Sequence, residues 1–364
     1  MTTKEKLLEL FEAHKGTFFS GEDIAKNIGC SRTAVWKAVQ GLRNDGYNIE
    51  AVPNKGYSLA EDTDIVSAQG IQKYLKPLCT GLKITVLPVV DSTNTYIREH
   101  VTEELADGYT VLANKQTSGK GRLGRSFFSP EGTGVYLSMF LRPQNYSAEQ
   151  AMRITTIASV AACEAIEEVS GKTASIKWVN DVYIANKKAV GILTEASFGL
   201  ENGLLDYAVL GVGFNAYTPS GGFPDELKDI ICAVFDNPAA DGKNRLAAAF
   251  LNHFMEYYKA ENPGDYIEKY RKKSMVIGNP ITVYKHGLPT ASSSPSAKAQ
   301  SARGSNGTPA ESSSGFGTAP NSRSAGGIPA TALDIDSRGG LVVRYEDGTE
   351  ETLSSGEISI RLRN

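Results

Sequence analysis

The stretch Gln116-Thr-Ser-Gly-Lys-Gly-Arg-Leu-Gly-Arg-Ser-Phe-Phe128 sets three glycines among three cations and ends in two aromatic residues. Glycine permits tight turns and lets backbone N–H groups come close to a ligand. Arginine binds phosphate and carboxylate oxygens through charge-assisted, often paired hydrogen bonds. The stretch therefore predicts a loop that wraps around an anionic ligand.

Two common nucleotide-binding motifs overlap this loop, Gly119-x-Gly121-x-x-Gly124 and a near P-loop. Both require a strand before the loop and a helix after it. Tyr109 to Ala113 predicts the strand, but 127–134 has turn composition and 135–141 predicts another strand, so both motifs are excluded. A P-loop would also need lysine where Arg125 stands. For the loop taken alone, a solvated glycine-rich hairpin remains the alternative.

A second set of polar residues follows in a predicted hairpin, with strands at 175–184 and 188–195 joined by a polar turn. Asn180 can hydrogen-bond a base, sugar or phosphate. Asp181 can hold a metal ion or orient a cation, and Lys188 offers a point charge. Taken singly, Lys188 fits a solvated turn as well, so the inference rests on the set.

Together these residues resemble the bifunctional biotin protein ligases of bacteria, which also act as biotin-responsive repressors. The motifs that carry the resemblance are, in chain order, Asp91-Ser-Thr-Asn94, Gly119-x-Gly-Arg-x-Gly-Arg125, Lys177-Trp-x-Asn-Asp181, Lys188-x-x-Gly-Ile-Leu193 and Gly211-x-Gly-x-Asn215. Lys120, Phe127 and Val179 depart from the family pattern, which has Arg, Trp and Pro at these positions.

The resemblance implies that the biotin carboxylate attacks the α-phosphate of ATP to give biotinyl-5′-AMP and pyrophosphate. A lysine of the biotin carboxyl carrier protein of acetyl-CoA carboxylase then attacks this adenylate. Such a reaction depends on positioning and on positive charge around phosphorus. The cofactors and substrates implied are biotin, ATP and Mg²⁺.

The resemblance also implies roles for individual residues. The catalytic residues are Arg122, Arg125, Lys188 and Asp181, of which Asp181 positions Mg²⁺ or the basic groups. The biotin-binding residues are Ser92, Thr93, Asn94, Gln116, Gly119, Lys120, Arg122, Lys188, Gly191, Leu193 and Gly211. The ATP-binding residues are Arg122, Arg125, Phe127, Lys177, Asn180 and Asn215. Ser92 to Asn94 taken alone also fit a helix N-cap.

The first sixty residues predict a winged helix-turn-helix. Apolar residues recur at helical spacing in 4–14, Ser20 and Ser31 are placed as helix caps, and Gly29 separates the second helix from the third. In this arrangement the last helix enters the major groove of DNA, and 47–59 predicts the wing. The candidate DNA-binding residues are Ser31, Arg32, Thr33, Lys37, Arg43 and Lys55. A unit that only contacts other proteins is the alternative.

Composition limits the remaining possibilities. The chain has 364 residues, 41% of them hydrophobic, which predicts two or three domains. Its net charge of −3 means that any basic face is local. Four cysteines without paired spacing indicate neither a disulfide framework nor a zinc site. Without a signal-like N-terminus or an apolar run of spanning length, we expect a cytoplasmic protein with no membrane association.

The predicted fold is α+β with three domains. Residues 1–60 form the winged-helix DNA-binding domain and 61–273 the biotin- and ATP-binding ligase domain, whose mixed β-sheet resembles class II synthetases. Residues 60–64 read as a linker between them. Residues 274–364 predict strands and resemble the small SH3-like β-barrel that ends the family's chains. Within this barrel, about 289–327 is nearly all small or polar residues, which predicts a disordered insertion.

The predicted function is biotin activation, transfer to the carrier protein and biotin-responsive repression at operator DNA, with the protein acting as a homodimer. Two alternatives remain. A biotin-sensing regulator without transfer activity is disfavoured by Lys188, Arg122 and Arg125. A ligase for another acid such as lipoate is disfavoured by the winged helix and by Ser92 to Asn94.

Overall fold

The computed structural model describes residues 1–144, 146–199, 201–260, 264–285, 327–354 and 358–362. The first sixty residues form three helices and a two-stranded wing: α1 (Thr3–Ala13), α2 (Gly21–Ile28), α3 (Arg32–Asn44), β1 (Ile49–Val52) and β2 (Gly56–Leu59). Side chains of Ser20 and Ser31 accept hydrogen bonds from N–H groups in the first turns of α2 and α3, and Gly29 ends α2 in the left-handed conformation. The predicted winged helix is confirmed.

The segment after the wing is not a free linker, so that prediction is wrong. Ala60 and Thr63 are buried. Asp64 accepts hydrogen bonds from the Tyr217 hydroxyl at 2.6 Å and from the Lys243 N–H at 2.9 Å. Polar composition suggested solvent exposure, but these polar groups find partners in the catalytic unit. The winged helix is therefore joined directly to it.

The central unit is a seven-stranded mixed sheet with helices. Its helices are α4 (Ala68–Gln72), α5 (Thr93–Glu99), α6 (Ala148–Ser170), α7 (Gly242–Tyr258) and α8 (Gly264–Lys273). Its strands are β3 (Ile84–Val90), β4 (Thr110–Gln116), β5 (Gly134–Leu141), β6 (Ser175–Lys177), β7 (Asp181–Ile184), β8 (Lys187–Phe198) and β9 (Leu205–Asn215). They lie in the order β3-β4-β5-β9-β8-β7-β6. β3 and β4 run parallel, and the other neighbouring pairs run antiparallel.

Helices cover both faces of this sheet. α6 and α7 share a large apolar core with one face. α5 packs on the other face through Ile97, which lies in a smaller core with Val111, Phe140 and Val209. Since β4 alternates Val111 toward α5 with Leu112 toward α6 and α7, both faces of the strand are buried. The sheet is thus a rigid support for loops at its edge.

The strand predicted at 175–184 is two strands, which corrects the expected hairpin. β6 ends at Lys177 and β7 begins at Asp181, and the two pair antiparallel. The turn between them is held by tertiary contacts. The Trp178 indole N–H donates to the Gly339 carbonyl at 3.0 Å, and Asn180 Nδ2 donates to the Ile192 carbonyl at 2.7 Å.

The C-terminal strands form a five-stranded antiparallel sheet, which confirms the predicted β unit. They are β10 (Pro280–Lys285), β11 (Ile328–Ile335), β12 (Leu341–Tyr345), β13 (Glu350–Leu353) and β14 (Ile358–Leu362), in the order β13-β12-β11-β10-β14. Its apolar residues belong to the same core as the central sheet. The predicted insertion lies outside the described residues except for Gly327, and the strands on either side of it pair directly at Val283 and Ile328. Within the described ranges, no helix is long and apolar enough to cross a membrane.

Candidate active site

The glycine-rich loop folds over one end of the central sheet and encloses a cavity of about 60 Å³ with β8, β9 and the start of α5. The predicted residues that line it are Ser92, Thr93, Asn94, Gln116, Lys120, Arg122, Phe127, Asn180, Lys188, Gly191, Leu193 and Gly211. Residues more than 100 positions apart in sequence therefore meet at one place. This clustering makes the cavity the candidate active site.

One end of the cavity is a buried polar network at the N-terminus of α5. The Thr93 N–H and hydroxyl donate to Gln116 Oε1 at 2.9 and 3.1 Å, and Gln116 Nε2 donates to the Ser129 hydroxyl at 2.9 Å. Asn94 Nδ2 donates to Glu195 at 2.8 Å, and Asn94 Oδ1 accepts from the Ser138 hydroxyl at 2.6 Å. Because each amide is held from both ends, these groups are oriented before a ligand arrives.

Three members of that network, Ser129, Ser138 and Glu195, were not among the predicted site residues. Ser138 stands inside the apolar strand β5 and is fully buried. A single hydroxyl in an otherwise apolar buried strand requires a hydrogen-bond partner, so it was a usable signal. Ser129 and Glu195 stand among other polar residues and carried no such signal.

Short hydrogen bonds hold the loop itself. The Gly121 N–H donates to the Arg125 carbonyl at 2.7 Å, and the Phe127 N–H donates to the Gly119 carbonyl at 2.8 Å. The Lys120 ammonium donates to the Thr95 hydroxyl at 2.6 Å. The loop is thus closed on itself and tied to α5, and its cationic side chains are placed around the cavity.

Positive charge gathers at the end opposite the polar network. Lys188 Nζ lies 2.6 Å from Asp181 Oδ1, and Arg122 Nη1 donates to Asn180 Oδ1 at 3.2 Å. Burial lowers the pKa of the Arg122 guanidinium, an effect that the nearby Asp181 opposes. An arginine keeps its proton in proteins, so a partly desolvated cation faces the cavity. This end can bind and polarise an anionic group.

An aromatic ring fills much of the space between the two ends. A Cβ atom at Gly213 would overlap the Phe127 ring, and one at Gly191 would lie 3.0 Å from it. The glycines of β8 and β9 therefore make room for Phe127. Tyr136, which was not predicted, lies edge-on to this ring at 6.3 Å, and burial raises its pKa to about 12, so its hydroxyl stays neutral near pH 7.

The size of the cavity shows what has to move on binding. Small-molecule sites usually enclose about 300–1,000 Å³, well above the 60 Å³ found here. Phe127 belongs to the glycine-rich loop, and Leu123 at its tip is half-exposed. A ligand of ordinary size therefore displaces Phe127 together with part of this loop.

Five predicted residues do not line the cavity: Gly119, Arg125, Lys177, Asp181 and Asn215. Arg125 is exposed on the outer side of the loop. Lys177 lies with its ammonium 5.8 Å from the centre of the Tyr183 ring. Asn215 is buried, with Nδ2 3.5 Å from the Lys188 carbonyl. Asp181 faces Lys188, so it orients that cation.

The candidate DNA-binding residues separate into two groups. Arg32, Thr33 and Lys37 are exposed along α3, and Lys55 is exposed at the tip of the wing. By contrast, the Arg43 guanidinium donates to the Ile49 carbonyl at 2.7 and 3.1 Å, which braces α3 against the wing. Ser31 caps α3 through a hydrogen bond from the Ala34 N–H. The first group forms a basic face, and the second supports it.

Three known protein families match successive parts of the chain. The Biotin/lipoate A/B protein ligase family matches residues 86–215, the HTH domain matches residues 3–58 and the Biotin protein ligase C terminal domain matches residues 325–361. The fold and the cavity therefore define a protein ligase of the biotin/lipoate class that carries a helix-turn-helix domain.

Individual relatives narrow this class. The chain is 40% identical to the Bifunctional ligase/repressor BirA of Bacillus subtilis (strain 168) over 254 residues, 70% of this chain and 76% of the relative. It is 36% identical to the Bifunctional ligase/repressor BirA of Escherichia coli (strain K12) over 284 residues, 77% of this chain and 85% of the relative. The chain belongs to the family of bifunctional biotin ligases and repressors.

A solved structure with a similar fold is the biotin protein ligase from Aquifex aeolicus in complex with biotin and ATP. The match covers 77% of this chain and 99% of that chain, with a TM-score of 0.55 and 23% sequence identity. At this identity the likeness concerns the fold.

Proposed function

We propose that this chain joins biotin to ATP to form biotinyl-5′-AMP and transfers the biotinyl group to a lysine of the biotin carboxyl carrier protein of acetyl-CoA carboxylase. The observation that carries this proposal is the division of one cavity into a buried amide-lined end and a cationic end. A urea ring offers donors and acceptors that suit Asn94, Thr93 and Gln116. A carboxylate and a phosphate suit Lys188 and Arg122.

The site residues act mainly by position and charge in this proposal. Lys188, oriented by Asp181, meets the biotin carboxylate and the α-phosphate as charge develops there. Arg122 does the same from the loop, and Asn180 fixes its guanidinium. Arg125 reaches the leaving pyrophosphate from the outer side of the loop once the loop moves. No protein nucleophile is required, because the carboxylate itself attacks phosphorus and pyrophosphate leaves.

Magnesium fits this scheme as part of the nucleotide substrate. Mg²⁺ commonly binds one or two carboxylates together with substrate phosphates and water. In the described ranges, no three or more His, Cys, Asp or Glu side chains form a metal-binding group. Asp181 is already paired with Lys188 at 2.6 Å. The ion is therefore carried mainly by the ATP phosphates, where it would neutralise charge on the leaving pyrophosphate.

Residues 1–60 supply the second activity, repression at operator DNA by a homodimer that forms when the adenylate is bound. Helix-turn-helix dimers read two half-sites about one helical turn apart. The exposed face with Arg32 and Lys37 is available for phosphate contacts. Residues 61–273 carry ligation, and 274–364 pack on them as the third unit.

The experiment that tests the enzymatic part measures ATP–pyrophosphate exchange with the full chain, once with biotin and once with lipoate. Label transfer to a carrier domain is then followed. We expect exchange with biotin and transfer of the label. Exchange without transfer would instead favour a regulator that only senses biotin, and faster exchange with lipoate would favour the other ligase.

The polar end of the cavity gives a prediction about biotin affinity. A Cβ atom at Gly211 would overlap Asn94 Oδ1, so Gly211→Ala should displace this amide and break its hydrogen bonds to Ser138 and Glu195. Loss of one or two such bonds corresponds to roughly a tenfold rise in the Kd for biotin, which calorimetry would measure. Gly81→Ala is the control, because a Cβ at Gly81 meets nothing within 4 Å. Equal affinities of the two variants would exclude Asn94 from biotin binding.

A further inference from the structure

Trp36 lies on the exposed side of α3, in the middle of its basic face. The side chains of Val35, Val39 and Leu42 point into the core of the winged helix, and helical spacing turns Trp36 away from them. Trp36 is 54% exposed, whereas Trp178, the other tryptophan of the chain, is 5% exposed. The largest apolar side chain of the sequence is thus presented to solvent.

Trp36 also forms one wall of a groove between α3 and the wing, which encloses about 820 Å³. Across the groove lies Val52 of β1, which is 37% exposed. Arg32 belongs to the lining, and in this fully described part of the chain no carboxylate does. The groove therefore combines apolar walls with positive charge. A neutral protein surface would match the first property only, and a bare phosphate chain the second only.

The major groove of DNA combines the matching properties. Phosphates line its edges, and its floor carries one apolar group, the C5-methyl of thymine. An exposed aromatic ring between cations can pack on that methyl while the cations contact phosphates. We propose that Trp36 is a specificity-determining residue that recognises thymine methyl groups in the DNA bound by α3. This proposal rests on the DNA-binding activity proposed above.

The first test uses DNA from which only the methyl group is removed. Full-length protein with biotin and ATP selects a duplex from a random-sequence library, and each thymine of that duplex is then replaced in turn by deoxyuridine. For the natural chain, at least one replacement should weaken binding by about fourfold, the factor that corresponds to burying one methyl group. Trp36→Ala should bind the selected duplex about tenfold more weakly and should lose its sensitivity to that replacement.

Salt dependence separates this contact from phosphate binding. Each phosphate contact contributes about one unit to the slope of log affinity against log salt concentration. Trp36→Ala should keep the slope of the natural chain, because an indole contacts no counterion. Lys37→Ala is the matched neighbour and should lower the slope by about one unit. Ligation should be unchanged in both variants, which verifies that they fold.

Tryptophan fluorescence gives a readout that does not depend on affinity. Addition of the selected duplex should change the emission of the natural chain, because its exposed tryptophan becomes covered. Trp36→Phe should bind the duplex without this change.

Three outcomes would overturn the proposal. Deoxyuridine replacements that weaken Trp36→Ala and the natural chain equally would show that another residue reads the methyl groups. Loss of dimers in Trp36→Ala with unchanged DNA affinity per dimer would assign the groove to a second copy of the chain. Failure to select any duplex would remove the DNA-binding function itself, and this outcome is distinct from tight binding that ignores Trp36.

Discussion

Lys188→Ala should lower the rate of adenylate formation by roughly 100-fold, the usual effect of removing one preorganised group that stabilises charge in a transition state. The ammonium of Lys188 is held 2.6 Å from Asp181 at the edge of the cavity. Its removal leaves Arg122 as the remaining cation in the cavity lining near Asn180. The measurement is biotin-dependent ATP–pyrophosphate exchange at saturating substrates, so that a change in binding is separated from a change in kcat.

Lys187→Ala provides the control for this prediction. Lys187 is the preceding residue on β8, but its ammonium donates to the Lys228 carbonyl at 3.0 Å. Its removal should change the exchange rate by less than about twofold, as expected for a surface substitution. Equal losses in the two variants would show that the hairpin is disturbed as a whole, and no loss in either would remove Lys188 from the chemistry.

Lys188→Arg refines the test. It preserves the charge but replaces a compact ammonium with a planar guanidinium. If Asp181 orients the cation, Asp181→Asn should reduce the exchange rate by less than Lys188→Ala does, since the ammonium remains. An Asp181→Asn variant without any activity, whose activity high magnesium restores, would instead support a direct role of Asp181 in holding the metal.

Sequence patterns predicted the parts of this molecule that depend on local chemistry. Ser31 caps α3 because its hydroxyl reaches an N–H three residues away, and Gly29 ends α2 because glycine tolerates the left-handed conformation. The glycine-rich loop was located for the same reason. Its closing hydrogen bonds join residues only four to eight positions apart, such as Gly121 to Arg125.

The features that sequence missed depend on contacts between distant residues. Ser138 reaches Asn94 across 44 positions, and Asn94 reaches Glu195 across 101. Hydrophobic alternation shows that a strand is buried, but it does not show which strand or helix lies beside it. The turn between β6 and β7 has the same origin, because its fixing contact joins Trp178 to Gly339 of another unit.

The junction between the winged helix and the catalytic unit was missed for this reason as well, and it is built around the carboxylate of Asp241. Lys15 of the winged helix and Lys73 of the catalytic unit each place an ammonium 2.6 Å from this carboxylate, and the Tyr74 hydroxyl donates to it at 2.8 Å. Glu12, whose side chain is 1% exposed, lies 2.8 Å from Lys73. Two carboxylates thus neutralise two ammonium groups at the contact.

Asp241→Ala should lower the free energy of unfolding by about 3–5 kcal/mol, because it leaves two largely buried ammonium groups with one carboxylate between them. Denaturant unfolding followed by circular dichroism measures this. A separate early transition of the winged helix would also count as the predicted loss, since the ion cluster joins the two units. Asp225→Ala removes an exposed ion pair with Lys228 and should cost less than about 1 kcal/mol.

The pH dependence identifies charge as the cause. Burial alone would raise the pKa of Asp241, but hydrogen bonds from Lys15 and Lys73 outweigh burial and hold the pKa below its usual value. A carboxyl group with a lowered folded-state pKa stabilises the protein above its unfolded pKa, about 3.9, and loses this contribution as pH falls through the folded value. The stability difference between the natural chain and Asp241→Ala should therefore be constant from pH 7 to 5 and shrink below about pH 4. A difference that persists at the lowest pH at which both proteins fold would assign the effect to packing.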